Sequence, residues 1–242
     1  MRIAAVIPSR YGSSRFPGKP IALIAGKPMI ERVYRQVEKS RCFEKIVVAT
    51  DDQRIAQVVK GFGGDVVLTA SSINSGTERV WEVMKGEPVD AVVNIQGDEP
   101  LISERLIADV YRALSSGENG MVTAAFWNDS YEEYISPQVV KVVFNRKNQA
   151  LYFSRSPIPF AQRDAFSGFY QHVGIYGYTR DVLNSFFRLP EAAMESSEKL
   201  EQLRFLSDGQ IIKILITPFR SHGVDVPEDI GKIEHLLRSH DE

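Results

Sequence analysis

Ile3-Ala4-Ala5-Val6-Ile7 runs directly into Pro8-Ser9-Arg10-Tyr11-Gly12-Ser13-Ser14-Arg15-Phe16-Pro17-Gly18-Lys19-Pro20, an apolar strand followed by a loop rich in glycine and cations. The same unbroken apolar character returns at Ile46-Val47-Val48-Ala49 and Ala91-Val92-Val93. Strands without polar alternation are covered on both faces, as in parallel sheets sandwiched by helices. The pattern predicts strands near 2–7, 45–49, 65–69, 90–95 and 120–127, alternating with helices near 28–40, 52–61, 76–85 and 103–115. That alternation gives an α/β fold class, a Rossmann-like, doubly wound, mainly parallel sheet. Ligands on such sheets bind beyond the carboxyl ends of the strands, which is where the first loop lies.

After about residue 128 the rhythm changes. Val139-Val140-Lys141-Val142-Val143-Phe144 and Ala150-Leu151-Tyr152-Phe153 follow closely, as antiparallel strands do, and an aromatic strand covers 170–178. Helices are expected near 180–187 and 196–207, a strand at 211–216 and a final helix from Pro227. There is no linker, repeat or low-complexity tract, so the reading is a single domain over 1–242 with an inserted antiparallel subdomain at about 128–205. Its aromatic, proline-punctuated stretch suits a lid or a dimer surface, and a homodimer is expected.

The chain has 242 residues and a net charge of −2, with acids and bases interspersed. Nothing global attracts nucleic acid or anionic lipid, so cationic chemistry must be local. The single cysteine, Cys42, excludes an internal disulfide and fits a reducing compartment. Met1-Arg2 leads into an apolar run too short for a signal peptide core, and no later run approaches a membrane span, so a soluble, cytoplasmic protein is expected.

In the first loop, Arg10, Arg15 and Lys19 supply donors suited to phosphate oxygens, and the small residues let backbone N–H groups come close. The ligand implied is a polyphosphate. Five residues separate Gly12 from Gly18, and Pro20 follows Lys19, so this is not a Walker A loop. With Lys27-Pro28-Met29-Ile30 downstream, it resembles the signature of sugar nucleotidyltransferases. The competing reading is a polar surface turn whose glycines satisfy positive φ.

Asn94-Ile95-Gln96-Gly97-Asp98-Glu99-Pro100 places amides and carboxylates at the end of the fourth strand. Asp98 is a hard oxygen ligand of the kind Mg²⁺ takes when it also holds triphosphate oxygens. Its alternative role, capping the next helix, is already filled by Ser103. Asp225, in His222-Gly223-Val224-Asp225-Val226-Pro227, reads on local pattern as a helix cap, yet two carboxylates are the usual scaffold for the metals of nucleotidyl transfer. Ser75 with Glu78 matches a capping box, Arg155 reads as a surface ion-pair partner, and Glu201 with Gln202 as a solvated helix face.

Taken together and in order, the first loop with Ala49-Thr50-Asp51-Asp52, Ser75-Gly76-Thr77-Glu78-Arg79, Gln96-Gly97-Asp98-Glu99-Pro100, Tyr152-Phe153-Ser154-Arg155, His172-Val173-Gly174-Ile175-Tyr176, Leu200-Glu201-Gln202-Leu203-Arg204 and His222-Gly223-Val224-Asp225 closely resemble the CMP-KDO synthetase (3-deoxy-manno-octulosonate cytidylyltransferase) family. Phe16 stands where Leu is expected in many relatives. The resemblance implies a nucleotidyltransferase-type fold and transfer of a cytidylyl group from CTP to the anomeric hydroxyl of KDO, with Mg²⁺, as an activation step for lipopolysaccharide synthesis. It implies Arg10, Ser13, Arg15 and Lys19 on the triphosphate, and Ser75 and Arg79 near the nucleotide. Asp98 and Asp225 would hold the metal, and Gln96, His172, Tyr176, Glu201 and Gln202 the sugar acid, with Arg155 at the mouth. Catalysis would rest on Lys19, Arg15, Asp98 and Asp225. His172, flanked by Val173 and Ile175, also reads as a core histidine. The rivals are a cytidylyltransferase for sialic acid or 8-amino-KDO, and a non-catalytic nucleotide-sensing domain.

Overall fold

Eleven strands and nine α-helices are found in a computed structural model that describes residues 1–13, 15–73, 75–162 and 166–240. Ser14 of the first loop lies outside the described residues. The strands are β1 (Ile3–Ser9), β2 (Leu23–Ile24), β3 (Lys27–Pro28), β4 (Ile46–Thr50), β5 (Asp65–Leu68), β6 (Ala91–Ile95), β7 (Met121–Asn128), β8 (Lys141–Phe144), β9 (Ala150–Ser154), β10 (Phe169–Thr179) and β11 (Ile212–Ile216). The helices are α1 (Met29–Lys39), α2 (Gln53–Gly61), α3 (Gly76–Met84), α4 (Glu104–Ser115), α5 (Tyr131–Ile135), α6 (Arg180–Phe186), α7 (Ala193–Glu198), α8 (Gln202–Ser207) and α9 (Asp229–His240).

The main sheet runs β11-β7-β10-β6-β1-β4-β5. β1 is parallel to both β4 and β6, β4 to β5 and β11 to β7, while β10 is antiparallel to both of its neighbours in this row. The apolar strands alternate between two cores. Ala5, Ile7 and Val48 face one side, under α1, α2 and α4. Val6, Val47 and Ala49 face the other, under α3, α6 and α8. The longer covering helices turn an apolar stripe to the sheet, as Ile30, Val33, Tyr34 and Val37 of α1 and Leu106, Ile107, Val110 and Leu114 of α4 do. Ser103 caps α4 and Asp52 caps α2 through side-chain oxygens that accept backbone N–H groups.

The stretch read as an antiparallel insertion at about 128–205 shares this sheet. β8 and β9 extend it as an antiparallel pair, and β10 runs through its middle between β6 and β7. Three short elements went unforeseen: a 3-10 turn at Lys19–Ile21, the hairpin β2–β3 and helix α5. All are too short for periodicity to show. The helix expected over 196–207 is two helices, broken where Lys199 takes a left-handed φ of 55°. The last helix begins at Asp229, two residues after Pro227.

Candidate active site

β1 and β6 end side by side, and the chain leaving each of them forms one wall of a cleft. The two strands approach so closely beyond their ladder that a Cβ on Gly97 would lie 2.4 Å from Ser9 Oγ and 3.0 Å from the Pro8 carbonyl. Glycine is therefore required there. The first loop folds back on itself through Tyr11, whose carbonyl accepts N–H groups from Ser13 and Gly18 at 2.9 Å each. Gly18 holds a φ of 74°, and the Arg54 guanidinium lies 3.4 Å above the Tyr11 ring centroid. This closure brings Lys19 inward.

Lys19 Nζ donates to Asp98 Oδ2 at 2.6 Å and to the Val224 carbonyl at 2.8 Å, and stands 3.9 Å from Asp225 Oδ1. Residues from three distant parts of the chain thus meet at one ammonium. Arg15 clasps Asp225 with both terminal nitrogens, at 3.1 and 3.2 Å, a bidentate geometry that orients the carboxylate. The reading of Asp225 as a helix cap is corrected: Asp229 Oδ2 accepts the backbone N–H groups of Asp225 and Val226 at 3.0 and 3.2 Å. With a nearby carboxylate satisfying these N–H groups, Asp225 is left to face the cleft.

On the far side of the cleft lies the start of α3. Ser75 Oγ accepts the Glu78 N–H at 3.0 Å, so Ser75 is a helix cap, and it also lines the cleft with Gly76. Arg10, Ser13, Arg15 and Lys19 line the same space, which measures about 310 Å³. A helix N-terminus facing four residues of a cationic loop is an anion-binding arrangement. Arg79 also borders this space, but its guanidinium is buried and donates to Thr69 Oγ1, to the Ile73 carbonyl at 2.9 Å and to Asp51 Oδ2 at 3.3 Å. Burial lowers its pKa, against the pull of Asp51.

Gln96, Asp98, Glu201, Arg15 and Asp225 border both this space and a larger one of about 750 Å³. The larger pocket is lined by every residue expected near the sugar acid: Gln96, Arg155, His172, Tyr176, Glu201 and Gln202. A bulge in β10 between Val173 and Tyr176 turns the strand beside it, a common device next to active sites. His172 Nε2 lies 3.0 Å from Thr123 Oγ1, and burial pushes its pKa down to about 3, so the ring is neutral. It is both a packed histidine, edge-on to Phe153, and a pocket wall. Gln202 is 4% exposed, and its Nε2 has no partner among the described residues. A buried amide donor without an acceptor, lining a polar pocket, suits an oxygen-rich ligand. The break at Lys199 is what turns Glu201 and Gln202 into the pocket and away from solvent, contrary to the solvated-face reading. Arg155 is no surface ion-pair partner: its Nε donates to the Glu198 carbonyl at 2.9 Å and a terminal nitrogen to Pro137 O at 3.1 Å.

Two pocket residues carried no assigned role in the sequence. Glu99 lines the larger pocket, and burial raises its pKa to about 7, against a hydrogen bond donated by Ser221. Lys141 is fully buried and donates to the carbonyls of Val139 and Arg155, two residues that line the same pocket. A lone lysine within Val139-Val140-Lys141-Val142-Val143 was its available signal.

The donor chemistry fits a magnesium ion. Asp98 and Asp225 offer hard oxygens on either side of one ammonium, and no cluster of three or more metal-ligating side chains occurs among the described residues. Mg²⁺ characteristically takes one or two carboxylates and completes its shell with water and phosphate oxygens.

The cytidylyltransferase family profile matches residues 4–214. The chain is 50% identical over 99% of its length to 3-deoxy-manno-octulosonate cytidylyltransferase of Desulfosudis oleivorans, covering 98% of that protein. It is 46% identical over 98% of its length to the enzyme of the same name from Syntrophobacter fumaroxidans, covering 97% of it. A solved structure of CMP:2-keto-3-deoxy-manno-octonic acid synthetase complexed with CTP superposes with a TM-score of 0.94 at 40% identity, over 99% of this chain and 100% of that one. A cationic loop closed on two carboxylates, a helix N-terminus facing it and likeness to these enzymes over nearly the whole chain lead to one conclusion: the chain belongs to the 3-deoxy-manno-octulosonate cytidylyltransferase (CMP-KDO synthetase) family.

Proposed function

We propose that the protein transfers the cytidylyl group of CTP to the anomeric hydroxyl of KDO, releasing pyrophosphate and making CMP-KDO, an activated sugar acid of the kind used in lipopolysaccharide synthesis. The observation that carries this reading is the meeting of Asp98 and Asp225 at Lys19, where the cationic space borders the larger polar pocket. A nucleotide in the first space and a sugar acid in the second would place the attacking oxygen and the α-phosphorus at that junction.

The reaction is an in-line displacement at phosphorus, so the enzyme's task is alignment and charge neutralisation. Arg10, Ser13, Arg15 and Lys19 would receive the triphosphate, with Ser75 and Gly76 presenting the α3 N-terminus to it. Arg15 and Lys19 now spend their hydrogen bonds on Asp225 and Asp98. An arriving triphosphate takes up these cations and frees both carboxylates. Asp98 and Asp225 would then hold Mg²⁺, which supplies charge neutralisation at the phosphate and lowers the pKa of the sugar hydroxyl. Lys19 and Arg15 offset charge on the leaving pyrophosphate. Gln96, His172, Tyr176, Glu201 and Gln202 would orient the sugar acid, His172 as a neutral ring, and Arg79 would brace the nucleotide end through Asp51 and Thr69.

Initial rates of pyrophosphate release with CTP, Mg²⁺ and KDO, beside UTP, dTTP, sialic acid and 8-amino-KDO, test the assignment. Release that requires both CTP and KDO is expected. Preference for another pair would keep the chemistry and change the substrate, and no release with any sugar acid would favour a nucleotide-sensing domain. A homodimer in the cytoplasm completes the proposal, and sedimentation analysis reads the first of these directly.

A further inference from the structure

Part of the lining of the larger pocket comes from segments outside the strand ladders. Pro137, Gln138, Val139 and Val140 form a loop between α5 and β8, and Arg155 follows the end of β9. Carbonyls in such a loop need donors when they turn inward. The donor is Lys141. Its Nζ reaches the carbonyls of Ser136 at 2.6 Å, Val139 at 2.8 Å and Arg155 at 2.7 Å, while its stem is fully enclosed. Burying an ammonium is costly, and a Leu or Met at this register position would serve β8 at lower cost. What the lysine adds is the joining of both wall segments at one atom.

A second group completes the joint from the other side. Glu198, at the end of α7, accepts from Ser154 Oγ at 2.5 Å and from the Arg155 N–H at 2.8 Å, and its own carbonyl accepts from Arg155 Nε at 2.9 Å. The Arg155 guanidinium then donates to Pro137 O at 3.1 Å, closing a ring of contacts back to the loop. The next residues after Glu198 are Lys199 to Gln202, which supply the facing side of the same pocket.

We propose that Lys141 and Glu198 are positioning residues for the sugar-acid end of the cleft, which act by fixing the 136–140 loop, Arg155 and the start of the 199–202 turn in a single geometry. Neither side chain is needed at the nucleotide end, where no residue of this joint lies except the shared Glu201 border. The proposal rests on the assignment of the larger pocket to the sugar acid.

The test is steady-state kinetics and CTP calorimetry on Lys141→Met, which keeps the stem and removes the three donors, run beside wild type. The KM for KDO is expected to rise about tenfold or more while the dissociation constant of CTP stays within about twofold. A folded Lys141→Met with an unchanged KM for KDO, or one in which CTP affinity falls in parallel, overturns the proposal. Should Lys141→Met fail to fold by circular dichroism, Glu198→Gln decides by the same split, with the same expected and contrary results. Wild-type protein that turns over no KDO would instead overturn the pocket assignment itself, which the parallel wild-type reaction reads separately.

Discussion

At the level of single residues, a change at Asp98 separates binding from chemistry. Asp98→Asn keeps the size of the side chain and its contact with Lys19 but loses the charge a metal requires. Its kcat is expected to fall by about two orders of magnitude or more, with CTP binding by calorimetry retained in part. A near-normal kcat would remove Asp98 from the metal site. His172 carries a pH signature. Its pKa sits at about 3 because of burial, against an ordinary 6.5. Between those values the unfolded chain takes up a proton that the native protein refuses, so the folded state loses stability as pH falls below 6.5. Relative to His172→Gln, wild type is expected to lose about 3 kcal/mol between pH 7 and 4 in urea unfolding. Equal slopes for the two proteins would show that the ring titrates freely.

The elements show what was legible from the chain and what was not. Unbroken apolar runs such as Ile46–Ala49 declared covered strands, and the capping residue Ser103 marked a helix start, because both signals are local. The bend at Lys199 left no such mark: a lysine in the left-handed region is chosen by the contacts around it, including the ion pair of Glu195 with Arg204 at 2.7 Å across the break. The place of β10 inside the sheet, between β6 and β7, was likewise hidden, since pairing between residues so far apart in the chain is set by the whole sheet. Asp225 was misread locally because a carboxylate ahead of a helix looks the same whether it caps or faces outward. Only the presence of Asp229 settles it. Gly97 lets the chain leaving β6 pass close to the end of β1, and its role can be measured. Gly97→Ala sets a methyl against Ser9 Oγ and the Pro8 carbonyl, so it should lower stability by about 1–3 kcal/mol and reduce kcat together. Unchanged unfolding and activity would mean that the ends of β1 and β6 can separate at little cost.

Across the whole molecule, the site is assembled from the first loop, the end of β6, the start of α3, the bulged β10, the α7–α8 break and the segment before α9. Sequence motifs named nearly all of these pieces, but their convergence around one cleft is a property of the tertiary fold. A ligand that joins them must stabilise the fold as a unit. CTP at about one hundred times its dissociation constant is expected to stabilise the protein by about 2.7 kcal/mol, visible as a rise in Tm. The rise should shrink in Lys19→Ala, which loses both the proposed phosphate donor and the central tie between Asp98 and Val224. An undiminished rise in that variant would place the triphosphate elsewhere.

The central claim is that one junction unites a nucleotide with a sugar acid, and ³¹P NMR of a reaction containing protein, CTP, Mg²⁺ and KDO tests it most directly. The account predicts loss of the three CTP resonances and matched growth of pyrophosphate and a single phosphodiester signal from CMP-KDO. Unchanged CTP, or release of free CMP with pyrophosphate, would contradict it, because the junction would then fail to bring the sugar hydroxyl to the α-phosphorus.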